Sequence, residues 1–96
     1  MDTKKYSNIL KALSHPHRLE LFLEIAKCQE KDFENCECLI SEVTKYFKIG
    51  APTISHHLKE LSSVGLIITE KKGKYLVARV NKEVLSELGS LFNKQF

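Results

Sequence analysis

The sequence predicts a mainly α fold of about five helices with one β-hairpin. Three observations carry this expectation. Apolar residues recur at helical spacing in several separate segments. Residues 50–66 read as a short helix, apolar on one side and small, polar and basic on the other. Residues 66–71 (Leu-Ile-Ile-Thr-Glu-Lys) and 75–80 (Tyr-Leu-Val-Ala-Arg-Val) are rich in β-branched or aromatic residues and bracket Lys72-Gly73-Lys74. Such a pair of runs around a glycine is a hairpin signal.

The elements follow in order. Residues 3–13 form a first helix with Tyr6, Ile9, Leu10 and Leu13 as its apolar side. Ser14-His15-Pro16 breaks it, and Pro16 suits the opening turn of a second helix over 16–28. Leu19, Phe22, Leu23 and Ala26 form one stripe there, and Leu21, Ile25 and Cys28 another. A helix apolar around so much of its girth is expected to be central. Residues 29–37 are polar and without period, a loop longer than most helix–helix connections.

Ser41 is the expected N-cap of a third helix reaching Lys48, with Val43, Tyr46 and Phe47 available for packing. Ile49-Gly50 is a turn. In the fourth helix Ile54, Leu58 and Leu61 fall at i, i+4 and i+7 and define the buried face, flanked by His57. Pro52 sits in the first turn, where a missing N–H costs nothing, and Gly65 stops the helix. The hairpin comes next. Asn81 then caps a last helix through about Lys94, with Val84, Leu85, Leu88, Leu91 and Phe92. Two helices joined by a short glycine-containing turn make a helix-turn-helix, and a basic hairpin after it makes a winged helix.

Composition narrows the partner. The net charge is +3, but the charges segregate. Residues 20–42 hold seven acids against Lys27 and Lys31, whereas residues 45–82 hold eight bases against Glu60 and Glu70. A basic half that contains a slim helix with short exposed side chains suits double-stranded DNA. Pro52, Thr53, Ser55, His56 and Lys59 would meet the major groove, and Lys71, Lys72 and Lys74 at the hairpin tip would meet phosphates. The first and last helices carry more apolar surface than one face against a small core needs. A homodimer through these N- and C-terminal helices is therefore expected, reading an inverted-repeat operator.

Residues 1–96 are expected to form a single domain with dimerisation helices at both ends. The first twenty residues lack the apolar run of a signal peptide, and no stretch approaches membrane-spanning length, so a cytoplasmic protein with no membrane partner is expected. No nucleophile–base–orienter pattern and no phosphate-binding glycine loop appear, which argues against an enzyme.

Taken together, the chain resembles the arsenical-repressor (ArsR/SmtB) family of winged-helix regulators. Residues 10–19, Leu-Lys-Ala-Leu-Ser-His-Pro-His-Arg-Leu, resemble the family's opening stretch. Ile40-Ser41-Glu42-Val43, residues 52–61 and Gly65-Leu66-Ile67 resemble its helix-turn-helix core, and Lys72-Gly73-Lys74-Tyr75 with Arg79-Val80-Asn81 its wing and exit. The resemblance implies a homodimeric repressor that leaves operator DNA when an effector, commonly a metal ion, binds. His57 matches a histidine common in the family, which implies a structural role.

Cys36, Cys38 and Cys28 are the candidate metal ligands. Three thiolates suit a soft ion such as As(III), Cd(II), Pb(II) or Hg(II), and His15 or His17 could complete a zinc site. The acidic loop is expected to raise the thiol pKa values by like-charge repulsion. Relative to the family's Cys-x-Cys motif, which would fall on Leu39 and Ser41, this pair lies three residues early. Residues 82–96 contain no His, Cys or Asp, so the family's zinc site on the last helix is absent. Thiol oxidation at Cys36 and Cys38 is a second route to release. An effector-independent regulator or a protein-interaction module with structural cysteines is the alternative, since a free cysteine also behaves as a small buried hydrophobe.

Overall fold

Asp2 starts the first helix, its carboxylate accepting the Lys5 N–H at 3.0 Å. This belongs to a computed structural model that describes residues 2–30, 37–45 and 47–94. Helix α1 spans Thr3–Leu13 and ends where the Ser14 N–H and hydroxyl both turn back to the Lys11 carbonyl. Helix α2 spans Pro16–Glu30, two residues beyond the expected end at Cys28. Its Leu21, Phe22 and Ile25 are buried, so it is central as expected. Leu19 and Leu23 are not part of the core: they face outward, Leu23 at 49% exposure.

The next segment departs from the sequence reading in two ways. Cys38–Leu39 forms a short strand, β1, where a loop end was expected. Helix α3 spans only Ile40–Thr44, and its N-cap is Leu39, not Ser41. The reason is tertiary. Pairing of Cys38 and Leu39 with the hairpin holds the backbone extended up to Leu39, so the helix begins at once and takes Ser41 into its first turn. Ile40 and Val43 are buried, and Phe47 packs against the core at partial exposure. Tyr46 and residues 31–36, which include most of the expected loop, lie outside the described residues.

Helix α4 spans Ala51–Ser63, with Gly50 as N-cap. It closes on Gly65 at φ +81: the Leu66 N–H donates to the Leu61 carbonyl and the Gly65 N–H to Ser62. This six-to-one and five-to-two pairing satisfies the last carbonyls and needs a residue tolerant of positive φ. Because Leu66 belongs to that closure, the hairpin begins one residue later than expected, with β2 at Ile67–Lys72 and β3 at Tyr75–Val80. Lys72 pairs with Tyr75 across the two-residue turn Gly73-Lys74, and Gly73 has φ +64. Tight hairpin turns of this kind require positive φ. The sheet is antiparallel in the order β1-β3-β2.

The Asn81 N–H donates to the Leu66 carbonyl at 2.9 Å, and its side chain accepts from Val84, starting α5 at Lys82–Asn93. Leu88 is buried and Val84 and Leu91 pack against the core. Leu85 and Phe92 face out at 40% and 47% exposure, as does Leu10 of α1 at 40%. Lys5 of α1 bridges to Glu87 of α5 at 2.9 Å, an exposed ion pair that links the two terminal helices. The core joins Ile9 and Ala12 of α1, the inner face of α2, Ile40 and Val43 of α3, Ile54, Leu58 and Leu61 of α4, and Ile67, Ala78 and Val80 of the sheet.

Candidate nucleic-acid interface

Helix α4 presents two chemically distinct sides. Ile54, His57, Leu58 and Leu61 are buried, while Pro52, Thr53, Ser55, His56, Lys59 and Ser63 are exposed. The division follows from helical geometry, since residues three and four apart share a face. Pro52 occupies the first turn, where its fixed φ fits and no amide donor is lost. The exposed end is thus short, polar and positively charged at Lys59, a shape that a major groove admits.

His57 sits in the hinge between this helix and the α1–α2 turn. It is only 4% exposed. The Arg18 Nε donates to His57 Nδ1 at a long 3.5 Å, and the Arg18 guanidinium also donates to the Ala12 carbonyl at 3.4 Å. The rings of His15 and His57 lie 4.8 Å apart. Among the described residues, His15 Nδ1 and His57 Nε2 are buried without a partner. Burial, then the nearby His15 and Arg18, lowers the His57 pKa below the ordinary histidine value, so the ring is neutral at pH 7. A neutral histidine beside a guanidinium fits the structural role that the sequence suggested for it. The partners Arg18 and His15 were missed, because only the fold brings them to His57.

The hairpin lies alongside α4. A groove between them is lined by Ser55, Leu58, Lys59, Ser62, Ser63, Thr69 and Leu76. Ser62, Thr69 and Leu76 were not singled out from sequence. Strand alternation could have found two of them, since Thr69 and Leu76 share the face of buried Ile67 and Ala78. The three tip lysines differ from one another. Lys74 holds its ammonium 5.5 Å from the Tyr75 ring centre. Lys72 is in an ion pair with Glu37 at 2.8 Å. Lys71 is exposed.

The cysteines are placed differently from expectation. Cys38 is fully buried in β1 against Ala78, and Cys28 is half-buried at the end of α2. Cys28 is the thiol that neighbours Cys38, and the Cys38 thiol donates to the Leu39 carbonyl at 3.7 Å. Burial is the main force raising the Cys38 pKa, followed by Cys28 and only then by Glu24 and Glu42. The acids that contribute, Glu24 and Glu42, lie on α2 and α3 and not in the loop from which the effect was expected. Cys36 lies outside the described residues. Among the described residues, no cluster of three or more His, Cys, Asp or Glu is placed to hold a metal ion. The His15 ring lies beside those of His17 and His57, and neither His15 nor His17 forms such a cluster with Cys28 and Cys38. No described helix is long and apolar enough to cross a membrane.

Residues 33–69 match the family model of bacterial regulatory proteins of the arsR family. An arsenical resistance operon repressor from Staphylococcus xylosus is 38% identical over 85 residues, covering 88% of this chain and 74% of that protein. The solved structure of an ArsR family transcriptional regulator superposes with a TM-score of 0.80 at 21% identity, over 99% of this chain and 90% of the other. A homodimeric winged helix-turn-helix DNA-binding domain from Mycobacterium bovis superposes with a TM-score of 0.70 at 21% identity, over 94% and 76%. With α4 exposed beside a basic hairpin and this degree of sequence likeness, the chain belongs to the arsR family of bacterial regulatory proteins, DNA-binding transcriptional regulators and not enzymes.

Proposed function

We propose that this chain acts in the cytoplasm as a homodimeric repressor that binds an inverted-repeat operator and is released by a thiophilic effector. The observation that carries the DNA half is the two-sided α4: its apolar side is consumed by the core and its small polar side is turned to solvent. Thr53, Ser55 and His56 read base edges, and Pro52 lets the helix end approach closely. Lys59, Lys71 and Lys74 contact phosphates, with Lys72 beside them at the wing tip.

Dimerisation is supported by the outward apolar residues Leu10, Leu85 and Phe92 on the two terminal helices, which the Lys5–Glu87 ion pair links. The mycobacterial relative of the same fold is a homodimer. Residues 1–96 then act as one domain with a dimer face at both ends.

The effector half rests on two free thiols, Cys28 on α2 and Cys38 on the neighbouring β1. Adjacent thiols are soft donors that suit As(III), Cd(II), Pb(II) or Hg(II), and Cys36 would add a third. The staphylococcal relative regulates arsenical resistance. The deciding experiment titrates the reduced protein, bound to its own upstream DNA, with these ions, with Zn(II) and with a mild oxidant. Release by a soft ion, lost in Cys28→Ser, Cys36→Ser and Cys38→Ser, is the expected result. Release by the oxidant alone would assign the cysteines to redox sensing. Release by none would leave an effector-independent regulator.

A further inference from the structure

The wing does not offer its lysines equally. Side chains alternate between the faces of a strand. Lys71 therefore shares the face of Thr69, which borders the groove beside α4. Lys72 takes the opposite face, and its ammonium lies 2.8 Å from Glu37. The exposures of the two side chains are unequal, 48% for Lys72 and 14% for Glu37. Glu37 is also anchored by its neighbour: Cys38 pairs with Ala78 and is fully buried. An exposed pair between two mobile side chains contributes little, because holding both costs entropy. Here the residue next to Glu37 is held in the strand and the Glu37 side chain is itself mostly covered, so less freedom is lost when the pair forms.

We propose that Glu37 is an affinity-limiting residue, which withholds the Lys72 ammonium from the phosphate backbone. The idea rests on the reading of the hairpin as a DNA-contacting wing. A lysine paired within the protein does not replace a condensed counterion on DNA, so it contributes neither affinity nor salt dependence. Glu37 thus lowers the pull of the wing on any DNA, whatever its sequence. Lys71 and Lys74 remain the phosphate-seeking charges of the tip.

The test measures binding to a random-sequence duplex across a salt series, for wild type, Glu37→Gln, Lys72→Ala and the double variant. Freed Lys72 should tighten binding on the order of tenfold near 0.1 M salt and steepen the logarithmic salt slope by about 0.9 per protomer. Lys72→Ala alone should change both very little. The double variant should match Lys72→Ala. Glu37→Gln indistinguishable from wild type would overturn the proposal. So would an equal gain in the Lys72→Ala background, which would mean that any lost acid near DNA suffices. A wild type with no measurable affinity for the duplex would instead overturn the DNA-contacting wing itself, and the limiting role with it.

Discussion

Helix α4 turns its polar side chains outward, whereas strand β1 turns its reactive one inward. Thr53, Ser55, His56 and Lys59 stand in solvent on a helix whose ends are closed by its own neighbours, Gly50 and Gly65. Cys38 lies under the sheet with its thiol against Cys28. The solvent side of α4 is therefore preformed, and a rigid partner can dock on it without rearrangement. The thiol pair is shielded, so a ligand at Cys38 must first part the packing around β1. That strand pairs with β3 and feeds directly into α3, so parting it disturbs both halves of the DNA-binding unit. This contrast is a physical reason why effector capture and DNA release would be one event.

The largest effect should come from the buried side of α4. Leu61→Ala removes a fully buried side chain and should cost about 2–5 kcal/mol in urea unfolding, while exposed Ser63→Ala should stay within about 0.5 kcal/mol. Comparable losses at the two positions would erase the two-sidedness of the helix. Next, Thr53→Ala or His56→Ala should cost about 1–3 kcal/mol of discrimination between the cognate upstream DNA and a scrambled duplex, with little change on the scrambled one. Equal weakening on both would reassign these residues to phosphate contacts.

The thiols give a third, smaller contrast. Iodoacetamide should label half-buried Cys28 well before fully buried Cys38, whose raised pKa also keeps it protonated at pH 7. Peptide mapping over time reads the order, and simultaneous labelling would show that β1 opens freely.

The smallest effect is in pH. The folded pKa of His57 lies below its unfolded value, so the unfolded chain binds the extra proton first on acidification. Stability from this residue is complete above the unfolded value of 6.5 and is lost as pH falls from there toward the lowered folded pKa. Melting temperatures between pH 7.5 and 5.5 should fall less in His57→Gln than in wild type. Parallel curves would exclude His57 as a source of the acid sensitivity.

Much of the two-sidedness of α4 was legible in local pattern. Ile54, Leu58 and Leu61 repeat at helical spacing, and the residues between them had to point elsewhere. Gly65 and Gly73 both take the positive φ that their closing turns demand. Capping was less legible at α3. Ser41 has the chemistry of an N-cap, yet Leu39 holds that position because its distant strand partner, Val77, extends the backbone there. Lys72 illustrates the same limit for charge. It looked like its neighbours Lys71 and Lys74, and only the return of β1 to the hairpin brings Glu37 against it.

Short-range rules thus determined the helices, the hairpin and the side of α4 that faces solvent, because spacing, caps and turn glycines act within a few residues. Long-range packing decided the third strand, the neighbours of His57, the pairing of Lys72 and the burial of Cys38. Each of these depends on segments that meet only after the chain has folded. For that reason the exposed side of α4 could be inferred residue by residue, and the closeness of Cys28 to Cys38 could not.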